Sequence, residues 1–210
     1  NHDNPWRNTM IQKAPGIEDI FPDRMDRWNF IVDSARQVFR LFNYREITVP
    51  VLEFTELFTR GIGEETDIVS KEMFTFEDRG GRSLTLRPEG TASVVRAYIE
   101  NGEYNRLAMC KFFYTGPMFR AEKPQKGRLR QFNQIGCELF GSSNPFHDAE
   151  TITMMDTLTR KLGIRDYTVL VNSIGCSSCR EHFMVELKDF YDSRRAELCD
   201  DCKRRLDRNP

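Results

Sequence analysis

The side chains best suited to chemistry stand between Met118 and Glu138, where an arginine-rich loop runs into a strand with one polar face. From Arg120 to Arg130 there are five basic residues, Arg120, Lys123, Lys126, Arg128 and Arg130, against one acid, Glu122. Guanidinium and ammonium groups gathered in a short loop suit phosphate oxygens, which accept charge-assisted hydrogen bonds. The same composition also makes an ordinary solvated loop, and charge alone leaves both open. The next strand favours binding. Period-two alternation puts Arg130, Phe132, Gln134, Gly136 and Glu138 on one face, and Ile135, Cys137 and Leu139 on the other. The second set is a core stripe. The first is a poor core and a good binding floor: Phe132 can stack on a heterocycle, Gly136 lets a ligand approach the backbone, and Glu138 can meet a cation. A solvent-facing strand would carry a similar mixture.

A second cluster, Thr85-Leu86-Arg87-Pro88-Glu89-Gly90-Thr91, runs from a strand into a helix. It has a ligand-binding reading and a plain structural one, in which Thr91 caps the helix and Glu89 complements its dipole. The cysteines form a third feature. Cys110 and Cys137 fall inside strands, whereas Cys176, Cys179, Cys199 and Cys202 make two Cys-x-x-Cys pairs separated by 19 residues. That spacing predicts a closed tetrahedral structural Zn2+ site, with free thiols or a redox pair as the alternatives.

These residues need elements to hold them. A helix is predicted from Asp23, taken as its cap, with Trp28, Ile31, Val32, Ala35, Val38, Phe39 and Phe42 on one face. Tyr44 to Val49 reads as a strand ending at Pro50. Met73–Phe76 and Ser83–Arg87 make a hairpin across Gly80 and Gly81. Then come a helix over Gly90–Glu100 and strands over Leu107–Tyr114 and Arg130–Phe140. A last amphipathic helix spans Asp148–Leu162, with Ala149, Ile152, Met155, Leu158 and Leu162 inward. Hairpins interleaved with lone helices predict an α+β fold in which helices flank an antiparallel sheet.

Composition sets outer limits. The 210 residues are 39% hydrophobic with a formal net charge of -1, so a nucleotide or nucleic-acid site must be a local basic patch. No apolar run approaches the roughly 20 residues that cross a bilayer, and no secretory signal is visible, so the expectation is a cytoplasmic protein with no membrane partner. Residues 1–9, polar and irregular before Met10, read as an extension or expression remnant, residues 10–172 as the core, and 173–210 as a four-cysteine zinc-binding segment.

Together the pieces resemble the class II aminoacyl-tRNA synthetase catalytic core. Phe42–Phe54 with Pro50 looks like the first motif of that class, and Phe113–Gly141 looks like the second. Within the class, Leu86-Arg87-Pro88-Glu89-Gly90-Thr91 together with Gln134, Gly136, Cys137 and Glu138 is similar to histidyl-tRNA synthetases of the bacterial type. The resemblance implies ATP with Mg2+, histidine and tRNA-His as substrates, and a homodimer formed through the first motif. It implies that Arg120 is the catalytic residue, on the ATP α-phosphate and the histidine carboxylate. Glu122, Arg128 and Phe132 would join Arg120 in ATP binding, and Glu89, Gly90, Thr91, Gln134 and Glu138 would join it in histidine binding. The family often lacks the four paired cysteines, so zinc would be a local elaboration. Family members continue with further motifs and an anticodon-binding domain not found before Pro210, so the expectation is a truncated catalytic fragment, weakly active or inactive alone. The competing readings are the histidine-sensing regulatory subunit of ATP phosphoribosyltransferase, which shares the fold, and a zinc-ribbon nucleic-acid-binding module.

Overall fold

A computed structural model describes residues 11–62, 73–123, 125–173 and 175–208. The extension expected over residues 1–9 lies outside the described residues.

Helix α1 (Pro22–Leu41) starts on a proline, whose fixed φ suits the first helical position. The N-cap is Phe21 with no side-chain cap, so Asp23 lies inside the first turn and complements the dipole instead of capping. Val32, Ala35, Val38 and Phe39 form its buried stripe as expected, whereas Ile31, expected on the same face, is exposed. Asn43, at φ 63, turns the chain out of the helix. The strand expected over Tyr44–Val49 shortens to β1 (Arg45–Glu46), because the chain leaves the ladder before Pro50. It re-enters a different sheet as β2 (Leu52–Phe54), followed by helix α2 (Thr55–Ile62).

The hairpin forms from β3 (Phe74–Glu77) and β4 (Ser83–Leu86). Its turn is held by the Asp78 carboxylate, which accepts from the Gly80 and Arg82 amides at 2.8 and 3.0 Å. Helix α3 (Thr91–Glu100) and the short α4 (Glu103–Arg106) lead to the longest pair of strands, β5 (Cys110–Phe119) and β6 (Gln131–Phe140). Strand β5 starts later than expected and runs on through Gly116 and Pro117. Helix α5 (Phe146–Lys161) comes next.

Among the described residues the strands make two three-stranded sheets, β1-β5-β6 and β2-β4-β3. All pairs are antiparallel except β1 with β5. Helices α1 and α5 cover one face of the first sheet, where Ala35, Val38, Phe39, Tyr44, Phe113, Met154 and Leu158 form a core joined by Ile135 and Cys137. On the other face Val49, Val94, Tyr114 and Met118 pack together with Phe112 and Phe132. The inward face of α5 differs from expectation. Met154 and Leu158 are buried while Ile152 and Met155 are exposed, because the helix rotates to place Thr151 at Tyr44 and Glu150 in an ion pair with Lys111.

Residues 166–210 form a separate compact unit, residues 1–165 the other. The smaller unit contains α6 (Ser177–Asp192), a 3-10 turn at Arg195–Glu197 and α7 (Asp200–Arg208). Among the described residues no helix is long and apolar enough to cross a membrane.

Candidate active site

Antiparallel register brings the polar face of β6 beside a matching face of β5, pairing Met118 with Phe132, Gly116 with Gln134, Tyr114 with Gly136 and Phe112 with Glu138. Strand β4 delivers Arg87–Thr91 onto the same floor, since the Phe119 amide donates to the Arg87 carbonyl at 2.9 Å.

At the basic end, Arg120 comes directly after β5. Its Nε donates to the Pro88 carbonyl at 3.1 Å, and its guanidinium lies 5.0 Å from the Phe132 ring centroid. Glu122 stands between two arginines, 3.8 Å from Arg120 and 3.3 Å from Arg128. Arg120, Glu122, Gly127, Arg128, Leu129 and Phe132 line a cavity of about 380 Å³. The loop is fastened at its base, where the Arg120 amide donates to the Arg130 carbonyl at 2.8 Å and the Arg130 amide to the Gly16 carbonyl at 2.7 Å. All the residues expected at the nucleotide thus meet in one place, with a cation stacked on an aromatic face and a carboxylate able to orient it.

The other end is acidic. Thr91 Oγ1 donates to Glu138 Oε1 at 2.7 Å, and the Tyr114 hydroxyl donates to the same oxygen at 3.5 Å. The Gly90 amide donates to Gln134 Oε1 at 3.1 Å. Glu89 takes the role expected of Thr91: its carboxylate accepts from the Thr91 and Ala92 amides at 2.5 and 2.9 Å, satisfying the open start of α3. Burial pushes the Glu138 carboxyl above its ordinary value, the neighbouring Glu89 charge adds to this, and the hydroxyls of Thr91 and Tyr114 oppose it. A cation placed here would relieve both carboxylates.

Two residues of this floor carry no role predicted from sequence. Tyr114 is buried, and burial pushes its phenol up to about 12. A Cβ at either Gly90 or Gly136 would overlap its ring, so these glycines make room for a tyrosine. The sequence predicts that Gly136 admits a ligand to the backbone; the structure fills that space with the Tyr114 phenol. Arg87 is also buried, and among the described residues its guanidinium hydrogen-bonds to backbone carbonyls only. Aligning β5 against β6 could have found Tyr114, but Arg87 gives no local signal.

Among the described residues the four cysteines are not gathered as a metal site. Cys176 caps α6 and shares reciprocal backbone bonds with Cys179, their sulfurs 3.1 Å apart. Two thiolates on a tetrahedral zinc with bonds of about 2.3 Å would sit ~3.8 Å apart. Among the described residues no three or more His, Cys, Asp or Glu side chains gather as metal ligands. The Cys-x-x-Cys turn at Cys176 serves as a helix cap, and the residues as placed do not fit zinc.

The model of the family described as Histidyl-tRNA synthetase matches residues 16–178, which include every residue of both ends of the floor. The chain belongs to the histidyl-tRNA synthetase family. A histidine–tRNA ligase of Halothermothrix orenii is 55% identical over 202 residues, 96% of this chain and 48% of that protein. The apo histidyl-tRNA synthetase of S. aureus superposes with a TM-score of 0.75 at 37% identity, over 96% of this chain and 47% of that one. A Bacillus halodurans structure described as an ATP phosphoribosyltransferase regulatory subunit/histidyl-tRNA synthetase is 26% identical with a TM-score of 0.64, over 74% of this chain and 39% of that one. The chain spans about half the length of the curated relatives it matches. Family membership accounts for the α+β architecture, with its antiparallel strand pairs and flanking helices, as the class II synthetase type.

Proposed function

We propose that this chain is the N-terminal part of the catalytic domain of a histidine–tRNA ligase, acting in the cytoplasm and dimerising through residues 42–54. The observation that carries the proposal is the separation of charge along β6. Phe132 and Glu138 are six residues apart, about 20 Å of strand, and arginines gather at one end while carboxylates gather at the other. A molecule with a phosphate and a heterocycle at one end and a cation at the other fits that floor, which is the charge pattern of an amino acid joined to a nucleotide.

In this reading MgATP lies with its adenine on Phe132 and its α-phosphate on Arg120, while Glu122 and Arg128 respectively meet the base and the distal phosphates. Histidine lies over Gln134, with its ammonium and imidazole met by Glu89, Thr91 and Glu138, and Gly90 bordering the pocket. Its carboxylate attacks the α-phosphorus in line, and the bond to the departing pyrophosphate breaks with the electron pair leaving on pyrophosphate. The terminal hydroxyl of tRNA-His then takes the aminoacyl group and AMP departs. No protein nucleophile is needed, so the gain comes from alignment and from neutralising charge on the transferred phosphorus. The Pro88 carbonyl already occupies Arg120 Nε, which fixes the fork and turns its Nη groups, Nη1 lying 3.8 Å from the Glu122 carboxylate, toward the α-phosphate and the histidine carboxylate.

The B. halodurans description favours one other reading, a regulatory subunit that senses histidine without activating it; the basic loop, with Arg120 and Arg128 both in place, argues for ATP. Zinc in residues 173–210 rests on cysteine spacing alone and takes no part in this scheme. Titration of the protein with histidine, with and without ATP, tests the proposal. Histidine binding that tightens with a non-hydrolysable ATP analogue supports it, and equal binding of unrelated amino acids overturns it.

A further inference from the structure

Arg87 is a buried cation that, among the described residues, faces no carboxylate within hydrogen-bonding distance. Its Nε donates to the Pro117 carbonyl at 3.0 Å, and its Nη1 donates to the Val49 and Pro50 carbonyls at 2.7 and 3.3 Å. Its backbone joins the same segments: its amide donates to the Val51 carbonyl at 2.9 Å and its carbonyl accepts from the Phe119 amide at 2.9 Å. It therefore stands where the chain crosses from the β1-β5-β6 sheet to the β2-β4-β3 sheet, beside Pro50 and Pro117. Arg87 supplies donors to the carbonyls of Val49, Pro50 and Pro117. Burial lowers its pKa, yet an arginine starts so high that it stays charged, and its planar fork reaches three carbonyls that a lysine ammonium could not span together.

The position of this clamp matters because of its neighbours along the chain. Pro88 presents the carbonyl that holds Arg120 Nε, and Glu89 to Thr91 reach Glu138 and the start of α3. Moreover Arg87 Nη2 fills the space over Gly116, where an added Cβ would lie 2.6 Å away. Gly116 pairs with Gln134 in the floor.

We propose that Arg87 is a positioning residue for adenylate formation, locking residues 49–51 to β5 so that the Pro88 carbonyl aims Arg120 at the α-phosphate. The inference rests on the function proposed above. It deepens that reading by linking residues 42–54, the segment assigned to dimer contact, to the group that stabilises the transition state. Substrate binding should suffer less than the chemical step, since Arg87 itself touches neither substrate.

The test uses the full-length enzyme that carries these residues, with Arg87→Lys and Gly116→Ala compared at temperatures well below each variant's own melting point. Gly116→Ala keeps the charge and pushes Nη2 out of its place, so it is read by itself if Arg87→Lys does not fold. The expected result is a fall in kcat for histidine-dependent pyrophosphate exchange of about 100-fold, the loss that a misplacement of about 1 Å can produce, with KM for histidine and ATP within about threefold of wild type. Arg120→Ala is the control. If the control loses activity while folded Arg87→Lys or Gly116→Ala keeps kcat within about threefold of wild type, Arg87 is only structural and the inference is overturned. If the control also keeps its activity, the proposed function fails with it. A rise in KM with kcat unchanged would make Arg87 a determinant of substrate binding and would likewise overturn the positioning role.

Discussion

Gly136→Ala separates two accounts of the site. The sequence alone suggests that Gly136 admits ligand, whereas the structure has the Tyr114 phenol in that space. An alanine methyl would fall within the ring, against the carbon that bears the hydroxyl. Overpacking of this kind costs about 1–3 kcal/mol. The ring cannot slide away, because Gly90 bounds it too and a Cβ there would overlap the same atoms. The cost therefore lies near the top of that range, about 3 kcal/mol. Gly136 does not have positive φ, so alanine regains about 0.5–1 kcal/mol of backbone entropy. A net loss of about 2 kcal/mol should lower the melting temperature by about 4–8 °C at this size. Far-ultraviolet circular dichroism, followed at the helix signal, reads the change. Adding Tyr114→Leu should return part of it, with a coupling of about 1 kcal/mol between two touching sites. A Gly136→Ala protein that melts at or above wild type, yet loses histidine binding, would show that the glycine serves the ligand after all.

Glu138→Gln should weaken histidine binding and also raise stability at neutral pH. The Glu138 pKa is raised in the fold, so its destabilising effect is absent below the ordinary glutamate value of 4.5 and grows as pH rises through the folded value; melting curves taken from acid to neutral pH should diverge from wild type as pH increases, and parallel curves would refute it. Lys111→Met should cost about 1 kcal/mol, because the Glu150 carboxylate of α5 is only partly buried and His147 still stands 3.7 Å from it. Lys111 holds the Glu150 pKa below its ordinary value, so the stability from this pair is present above 4.5 and is lost as pH falls through the lowered value; acid titration by fluorescence should show that loss in wild type and not in the variant. Alkylation followed by mass spectrometry should label Cys176 at lower pH than Cys110 or Cys137. Backbone amides and the Cys179 thiol lower the Cys176 pKa, whereas burial raises Cys110 and pushes Cys137 up to about 11. Zinc that protects Cys176, Cys179, Cys199 and Cys202 together would restore the four-thiolate site.

Features written in local periodicity were legible before the structure. The polar face of β6, the buried stripe of α1 and the β3–β4 hairpin all depend on residues close in sequence. Features set by distant pairing were not. That Tyr114 lies against Gly136 comes from the register of β5, and that Arg87 finds Val49, Pro50 and Pro117 comes from a crossing of two sheets. Helix α5 misled for a related reason: Ile152 and Met155 look like core, but Lys111 and Tyr44 on other elements decide its rotation. The two ends of the floor were readable residue by residue, while their connection through Pro88 and Arg120 needed the fold.

The most direct test is histidine-dependent exchange of pyrophosphate into ATP by the full-length enzyme, assayed with each amino acid in turn. Exchange with histidine only, falling by about 10²–10³ in Arg120→Ala as for loss of one preorganised donor, is the expected result. Exchange that ignores histidine, or that survives Arg120→Ala, would contradict the assignment of the β6 floor as an adenylation site.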